Sequence, residues 1–308
     1  MKKTIYTIVV LALISLSAKA QNNNYEPNEK GGSYNIAINN ANNPCITQEQ
    51  YKSIENGIAK NRRQLGLKNK SATMTTHFDW PLAPINGLND CSYYYLAAYV
   101  DEDATAGNIK DYNCGTNTYD GHRGNDIASL PYPFYKMDNN QLSVIAAAPG
   151  IIVNKVEGNF DKNCAGNGLT ANYIIVQHAD GSVALYWHMK KNSLTSKTVG
   201  QSVVTGEFLG IVGSSGSSSA PHLHFEVWSG TTANTLQDVY SGFCNSLNAS
   251  TLWNTQKPYT EPAIVKTQIN LIAPVLPTCP ATETPNDVSC FVGTGSARFY
   301  IFMRNTLP

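Results

Sequence analysis

Apolar and polar positions divide the chain into distinct textures. Residues 21–44 are polar and Asn-rich, with Gly31-Gly32, and read as a flexible leader. Residues 46–66 place Tyr51, Ile54, Ile58 and Leu65 on or near one helical face. Thr47 provides a start signal there, with Glu49 near the capping-box position. A basic stretch from Lys60 to Lys70 follows. This piece reads equally as a helical prosegment, covering residues 21–72, and as a permanent packing element.

From about residue 73 the pattern changes to short strands and turns. Residues 144–148 form an apolar run that stops at Pro149-Gly150, a turn dipeptide, and residues 151–156 resume the strand pattern. Residues 173–178 and 183–188 are β-rich runs joined around Ala179-Asp180-Gly181, where glycine supplies the positive φ of a tight hairpin. Residues 201–212 hold two more apolar runs around Gly206-Glu207, and residues 222–228 one further strand. Few helices fit between these runs. The expected fold is mainly β, an antiparallel β-sheet core with an N-terminal helical segment, its body over residues 73–260. Residues 261–308 are punctuated by Pro262, Pro274, Pro277, Pro280 and Pro285 and end in a β-rich run at 298–303. They read as a last strand pair or a small disulfide-clipped tail.

Composition narrows the setting. Of 308 residues, 42% are hydrophobic, enough for a substantial core. Formal net charge is zero and no long run of Lys or Arg stands out, which argues against nucleic acid as a partner. Lys2 and Lys3, the apolar stretch from Ile5 to Leu16, and Ala18-Lys19-Ala20 read as a cleaved secretory signal over residues 1–20. The apolar run is shorter than a bilayer span, and no cysteine stands at the cut, so no membrane anchor is expected. Cleavage after Ala20 removes three lysines and no acid, so 22 bases against 22 acids become 19 against 22, a net charge of −3. The chain is therefore expected outside the cytoplasm, secreted or periplasmic. All seven cysteines (45, 91, 114, 164, 244, 279 and 290) lie beyond the cut and read as disulfide formers, without any C-x-x-C pair. Cys279 with Cys290, and Cys114 with Cys164, are the expected pairings. The odd count leaves at least one thiol over. Nothing in the sequence fixes the oligomeric state.

Three of the six histidines and one aspartate form two compact patterns. The first, Gly121-His122-Arg123-Gly124-Asn125-Asp126, is an H-x-x-x-D whose glycines allow a tight bend. The second, Pro221-His222-Leu223-His224, puts two imidazoles on one strand face, where both bind one metal or one binds and the other serves the reaction. Nitrogen and carboxylate donors suit zinc, and three protein ligands leave a fourth position for water. His188 ends the 183–188 run, on the face of Tyr186 and opposite Val183, Leu185 and Trp187, as a further imidazole. Glu226 shares the face of His222 and His224 and is expected at the rim.

Together with Asn172–Gly181, Leu185-Tyr186-Trp187-His188-Met189, the Gly-Ser-rich 203–217 segment and Pro221–Val227, these residues resemble the lysostaphin-type, or β-lytic, zinc endopeptidases, which cleave peptidoglycan cross-bridges. The resemblance spans roughly residues 75–230. It implies one zinc ion held by His122, Asp126 and His224, with His188 and His222 as catalytic imidazoles and Tyr119 as a supporting hydroxyl. His178 and His77 are not implied. The implied reaction is hydrolysis of a peptide bond by metal-activated water, on peptidoglycan or other Gly-rich peptides. Gly213, Ser214, Ser215 and Gly216 are expected to form a groove wall that admits a small-residue backbone. Absence of H-E-x-x-H excludes the helical zinc-protease arrangement. The rival reading is a silent or latent relative acting as a wall-binding or activator module, and against it all five site positions are filled.

Overall fold

A computed structural model describes residues 44–67, 75–290 and 296–304. The expected signal segment and nearly all of the polar leader lie outside them. Helix α1 spans Gln48–Gln64. Thr47 caps it, and the capping box closes through Gln50 rather than Glu49, because Gln50 stands at the third helical position and returns its side chain to the Thr47 amide at 2.8 Å. Tyr51, Ile54 and Ile58 are buried; Leu65, expected beside them, is the C-cap and exposed.

The strands are β1 (Leu82–Pro84), β2 (Tyr95–Ala98), β3 (Asn125–Ala128), β4 (Leu142–Ile145), β5 (Gly150–Val156), β6 (Tyr173–Gln177) and β7 (Val183–Trp187). They continue as β8 (Ser202–Val203), β9 (Phe208–Ile211), β10 (His222–Trp228), β11 (Leu236–Gln237), β12 (Ala263–Asn270) and β13 (Arg298–Arg304). A short helix α2 (Pro133–Asp138) precedes β4. The main sheet runs β2-β3-β10-β7-β6-β5-β8, with β11 added at the end of β10, and every pairing is antiparallel. A second sheet, β1-β4-β9, packs beside it through the shared core. The mainly β, antiparallel expectation holds.

Strand alternation gives the main sheet two different faces. On one, Leu223, Phe225 and Val227 of β10 join Ala184, Tyr186, Ile174, Val176, Ile152 and Ile127 in the larger core. On the other, Trp228 joins Val183, Leu185, Trp187, Tyr173, Ile175 and Val153, and α1 covers them with Tyr51, Ile54 and Ile58. His222, His224 and Glu226 alternate onto this second face. The helix and the candidate chemistry therefore share one side of the sheet.

The cysteine expectations need correction. Cys114 pairs with Cys244 and Cys164 with Cys279, so neither expected bridge forms. Nearness in sequence misled because the bridges close loops of 130 and 115 residues. Cys45, Cys91 and Cys290 are free thiols. In the tail, β12 and β13 pair as their own two-stranded sheet, tied back by the Cys164–Cys279 bridge and by Arg304 donating to the Tyr94 carbonyl at 2.8 Å. No helix among the described residues is long and apolar enough to cross a membrane.

Candidate metal centre

Strands β3 and β10 bring the two sequence patterns together. Their register sets His224 opposite Asp126, so both side chains leave the same face. Gly121, at φ +73°, turns the chain ahead of β3. Gly124 is needed for space: a Cβ there would sit 2.6 Å from Cε1 of His224 and 2.9 Å from the Phe225 carbonyl. His122 Nε2 then lies 3.2 Å from both His224 Nδ1 and Asp126 Oδ1, and His224 Nδ1 lies 2.9 Å from Asp126 Oδ1.

These donors fit zinc. Ligands 2.0–2.1 Å from a tetrahedral ion stand about 3.3 Å apart, close to the triangle observed. The outer hydrogen bonds fix which nitrogens point inward. His122 Nδ1 donates to the Tyr99 carbonyl at 2.6 Å, and His224 Nε2 faces Glu226 Oε2 at 3.3 Å. In the neutral rings, His122 Nε2 and His224 Nδ1 are therefore lone pairs aimed at a carboxylate oxygen. Three acceptors with no proton between them, all buried, are satisfied by a cation at their centre.

Two more imidazoles face the same point. His222 Nδ1 donates to the Ala220 carbonyl at 2.7 Å, and its Nε2 is buried without a hydrogen-bond partner, 3.5 Å from Asp126 Oδ1. His188 Nδ1 donates to the Ser215 carbonyl at 2.6 Å, and the two rings lie 4.5 Å apart. Simple alternation assigns His188 to the Tyr186 face, yet it joins the opposite one. The reason is its backbone: at φ +66°, just past the end of β7, it adopts a left-handed conformation that redirects the side chain. Tyr119 stacks on His122 at 4.2 Å, its hydroxyl 3.5 Å from Asp126 Oδ2. His178 instead holds the Pro149 carbonyl and the edge of Phe78, and His77 is exposed.

Burial pushes His188 below the ordinary imidazole value. His222 is also opposed by burial, but the Asp126 carboxylate outweighs it and raises His222 to about 10. Burial likewise opposes ionisation of Asp126, and there His122 and His222 win, holding its carboxyl well below the usual range. A divalent cation on Asp126 would remove much of its pull on His222.

Three sequence expectations change. Glu226 is fully buried rather than at the rim, accepting from Tyr51 Oη at 2.8 Å and Trp228 Nε1 at 2.6 Å beside His224 and Arg123. Alternation along β10 identified its face, but only the docking of α1 buries it. The Gly213–Gly216 segment is buried instead of forming an open wall. Its small residues are dictated by packing: a Cβ at Gly213 would meet the Lys190 backbone at 2.4 Å, and one at Gly216, with φ +74°, would meet Ala171 at 2.8 Å. Finally, Cys45, read as a disulfide former, lies inside the cluster with its sulfur 2.9 Å from His188 Nε2. No spacing signal in the sequence links it to residues more than 140 positions away.

Residues 122–236 match the family model described as Peptidase family M23. The cell division protein DipM of Caulobacter vibrioides is 34% identical over 107 residues, covering 34% of this chain and 17% of DipM. An uncharacterized metalloprotease of Buchnera aphidicola is 39% identical over 57 residues, 18% of this chain and 14% of its own. The matches thus span less than a fifth of either relative. Among solved structures, the catalytic domain of the antimicrobial peptidase lysostaphin from Staphylococcus simulans has 23% identity and a TM-score of 0.31, over 47% of this chain and 88% of that one. A mutant catalytic domain of the prophage-encoded M23 protein EnpA from Enterococcus faecalis has 21% identity and a TM-score of 0.31, over 51% and 93% respectively.

Proposed function

We propose that this chain, whose residues 122–236 match the model of peptidase family M23, is a secreted zinc metalloendopeptidase acting on peptidoglycan cross-links or other Gly-rich peptides. The observation that carries the reading is the convergence of His122, Asp126 and His224 to mutual distances of 2.9–3.2 Å, with two further imidazoles facing the same point.

In this reading His122, Asp126 and His224 hold one zinc ion. Zinc, when bound, polarises the scissile carbonyl and acidifies the attacking water. His188 and His222 perform the proton transfers. Each spends Nδ1–H on a backbone carbonyl, so each presents Nε2 to the reacting centre, one to accept a proton and one to return it to the leaving amine. Tyr119 lies within reach of the same volume and supports the developing oxyanion. Glu226 and the Tyr99 carbonyl fix the ring orientations of the ligands. The Gly213–Gly216 segment holds His188 through the Ser215 carbonyl. The preference for peptidoglycan rests on the lysostaphin-type sequence pattern, and secretion on the N-terminal signal pattern and two disulfides.

Digestion of purified peptidoglycan with mass analysis of the fragments tests the reading. New termini at a peptide cross-link, lost on chelation and in His122→Ala, are expected. Equal digestion by all three samples would sink it.

A further inference from the structure

The structure places Cys45 where nothing in the catalytic reading requires a residue. We propose that Cys45 is a fourth protein ligand of the metal and that its sulfur holds the enzyme latent. This rests on the zinc reading above.

Sγ of Cys45, the Asp126 carboxylate and His224 lie within 4.8 Å of one another, and Sγ, His188 and His222 form a second group within the same limit. The residue is 5% exposed and joined to no other cysteine. It faces the unpartnered Nε2 of His222 together with Asp126 and His224, so the sulfur stands at the edge of the apolar cluster of Ile46, Tyr51 and Ile54 with metal-ligating groups in front of it. Its position is built. The Thr47–Gln50 capping box fixes the chain two residues on, and Gln50 Nε2 donates to the Gly168 and Leu169 carbonyls at 3.1 and 3.0 Å. Six residues after Cys45, Tyr51 donates to Glu226, the carboxylate that also faces His224.

On coordination the thiol gives up its proton to solvent, and thiolate is among the better zinc ligands. The result is a closed four-ligand set, the arrangement of structural rather than catalytic zinc sites, with no position left for water. The same sulfur occupies His188 Nε2, so metal and base are blocked together. Opening the site does not require α1 to leave. Ile54 and Ile58 cover the apolar face formed by Val153, Leu185 and Trp228, whereas among the described residues Pro44, Cys45 and Ile46 lie ahead of the cap and are the ones that withdraw. The N-terminal piece thus divides into a helix that stays and a plug that moves.

The test uses the full chain carrying Cys91→Ser and Cys290→Ser, so that Cys45 is its single free thiol, loaded with cobalt. One cobalt per chain with a near-ultraviolet thiolate-to-metal band is expected, and Cys45→Ala should lose the band but keep the cobalt. Labelling of Cys45 should be slow in the loaded chain and fast after chelation, a measurement that needs no change at Cys45. If the closed form holds all but about 1% of molecules, peptidoglycan hydrolysis by zinc-loaded Cys45→Ala rises on the order of 100-fold. One bound cobalt without the band overturns Cys45 as a ligand and leaves the zinc reading standing. The band without a gain in hydrolysis overturns latency. No stoichiometric cobalt in either protein overturns both readings.

Discussion

His224 stands directly opposite Asp126 across the β3–β10 ladder, and Nδ1 of one lies 2.9 Å from Oδ1 of the other. A metal held there clamps two neighbouring central strands, so its removal should weaken the fold as well as the chemistry. Chelation is expected to lower the unfolding midpoint by roughly 5–10 °C, if binding contributes about 3 kcal/mol. His122→Ala should start near the lowered midpoint and respond little to chelator. An unchanged midpoint on stripping metal from the wild type would contradict the clamp.

His188→Ala and His222→Ala separate metal binding from proton transfer. Neither is assigned as a zinc ligand, so metal content should stay at one ion per chain. Turnover should fall on the order of 10²–10⁴-fold in each. Loss of metal in step with activity would instead make the altered residue a ligand.

Glu226→Gln tests the support behind His224. The amide keeps the shape but removes the negative charge that faces His224 Nε2 and Arg123. Zinc affinity, measured by competition with a chromophoric chelator, should weaken about 10–100-fold. Full affinity would return Glu226 to a packing role only.

Asp238 should impose a pH dependence remote from the metal. Burial, with the nearby Glu102 carboxylate, raises its carboxyl well above the ordinary value, and one of its oxygens has no hydrogen-bond partner. The native state then keeps a proton that the unfolded chain releases above about pH 4. The stabilisation from this site is fully present below that pH and is lost as pH rises toward the folded value. Asp238→Asn mimics the protonated acid, so it should raise the melting temperature at pH 8 more than at pH 4. An equal shift at both would refute the linkage.

A chain beginning at residue 76 should fold poorly, whereas one beginning at Thr47 should not. The shorter form uncovers the face containing Trp187, Trp228 and Leu185 and forfeits Ile54 and Ile58, each worth about 1.5–3 kcal/mol when buried. Binding of a hydrophobic dye distinguishes them, and equal dye binding by both would show that α1 is dispensable to the fold.

Much of this was legible in the sequence. Apolar, β-rich runs between turn signals located β5, β6, β7 and β10, helical spacing located α1, and the two histidine patterns do meet in space. What escaped depends on long-range packing. A local pattern cannot report that His188 turns left-handed at the end of β7, or that α1 docks over the same face as His224 and seals Glu226. The run at 144–148 fell out of register because β4 ends at Ile145, before the chain bends toward Pro149. Cys45 was misread because cysteine counting treats every thiol in an exported chain as a candidate bridge. Its partners are imidazoles that only the folded sheet brings near.

The position of β10 also orders events in time. It lies between β3 and β7 in the sheet although nine strands precede it in the chain. During synthesis α1, His122 and Asp126 emerge long before His224 can be inserted between them and β7. Until then the helix lacks part of its wall and the metal site lacks a donor. On the proposed zinc reading, capture of the ion is therefore a late step of assembly: metal arriving early would find only two of the three proposed ligands, and a chain that stalls before β10 could neither keep the ion nor hide the surface meant for the helix.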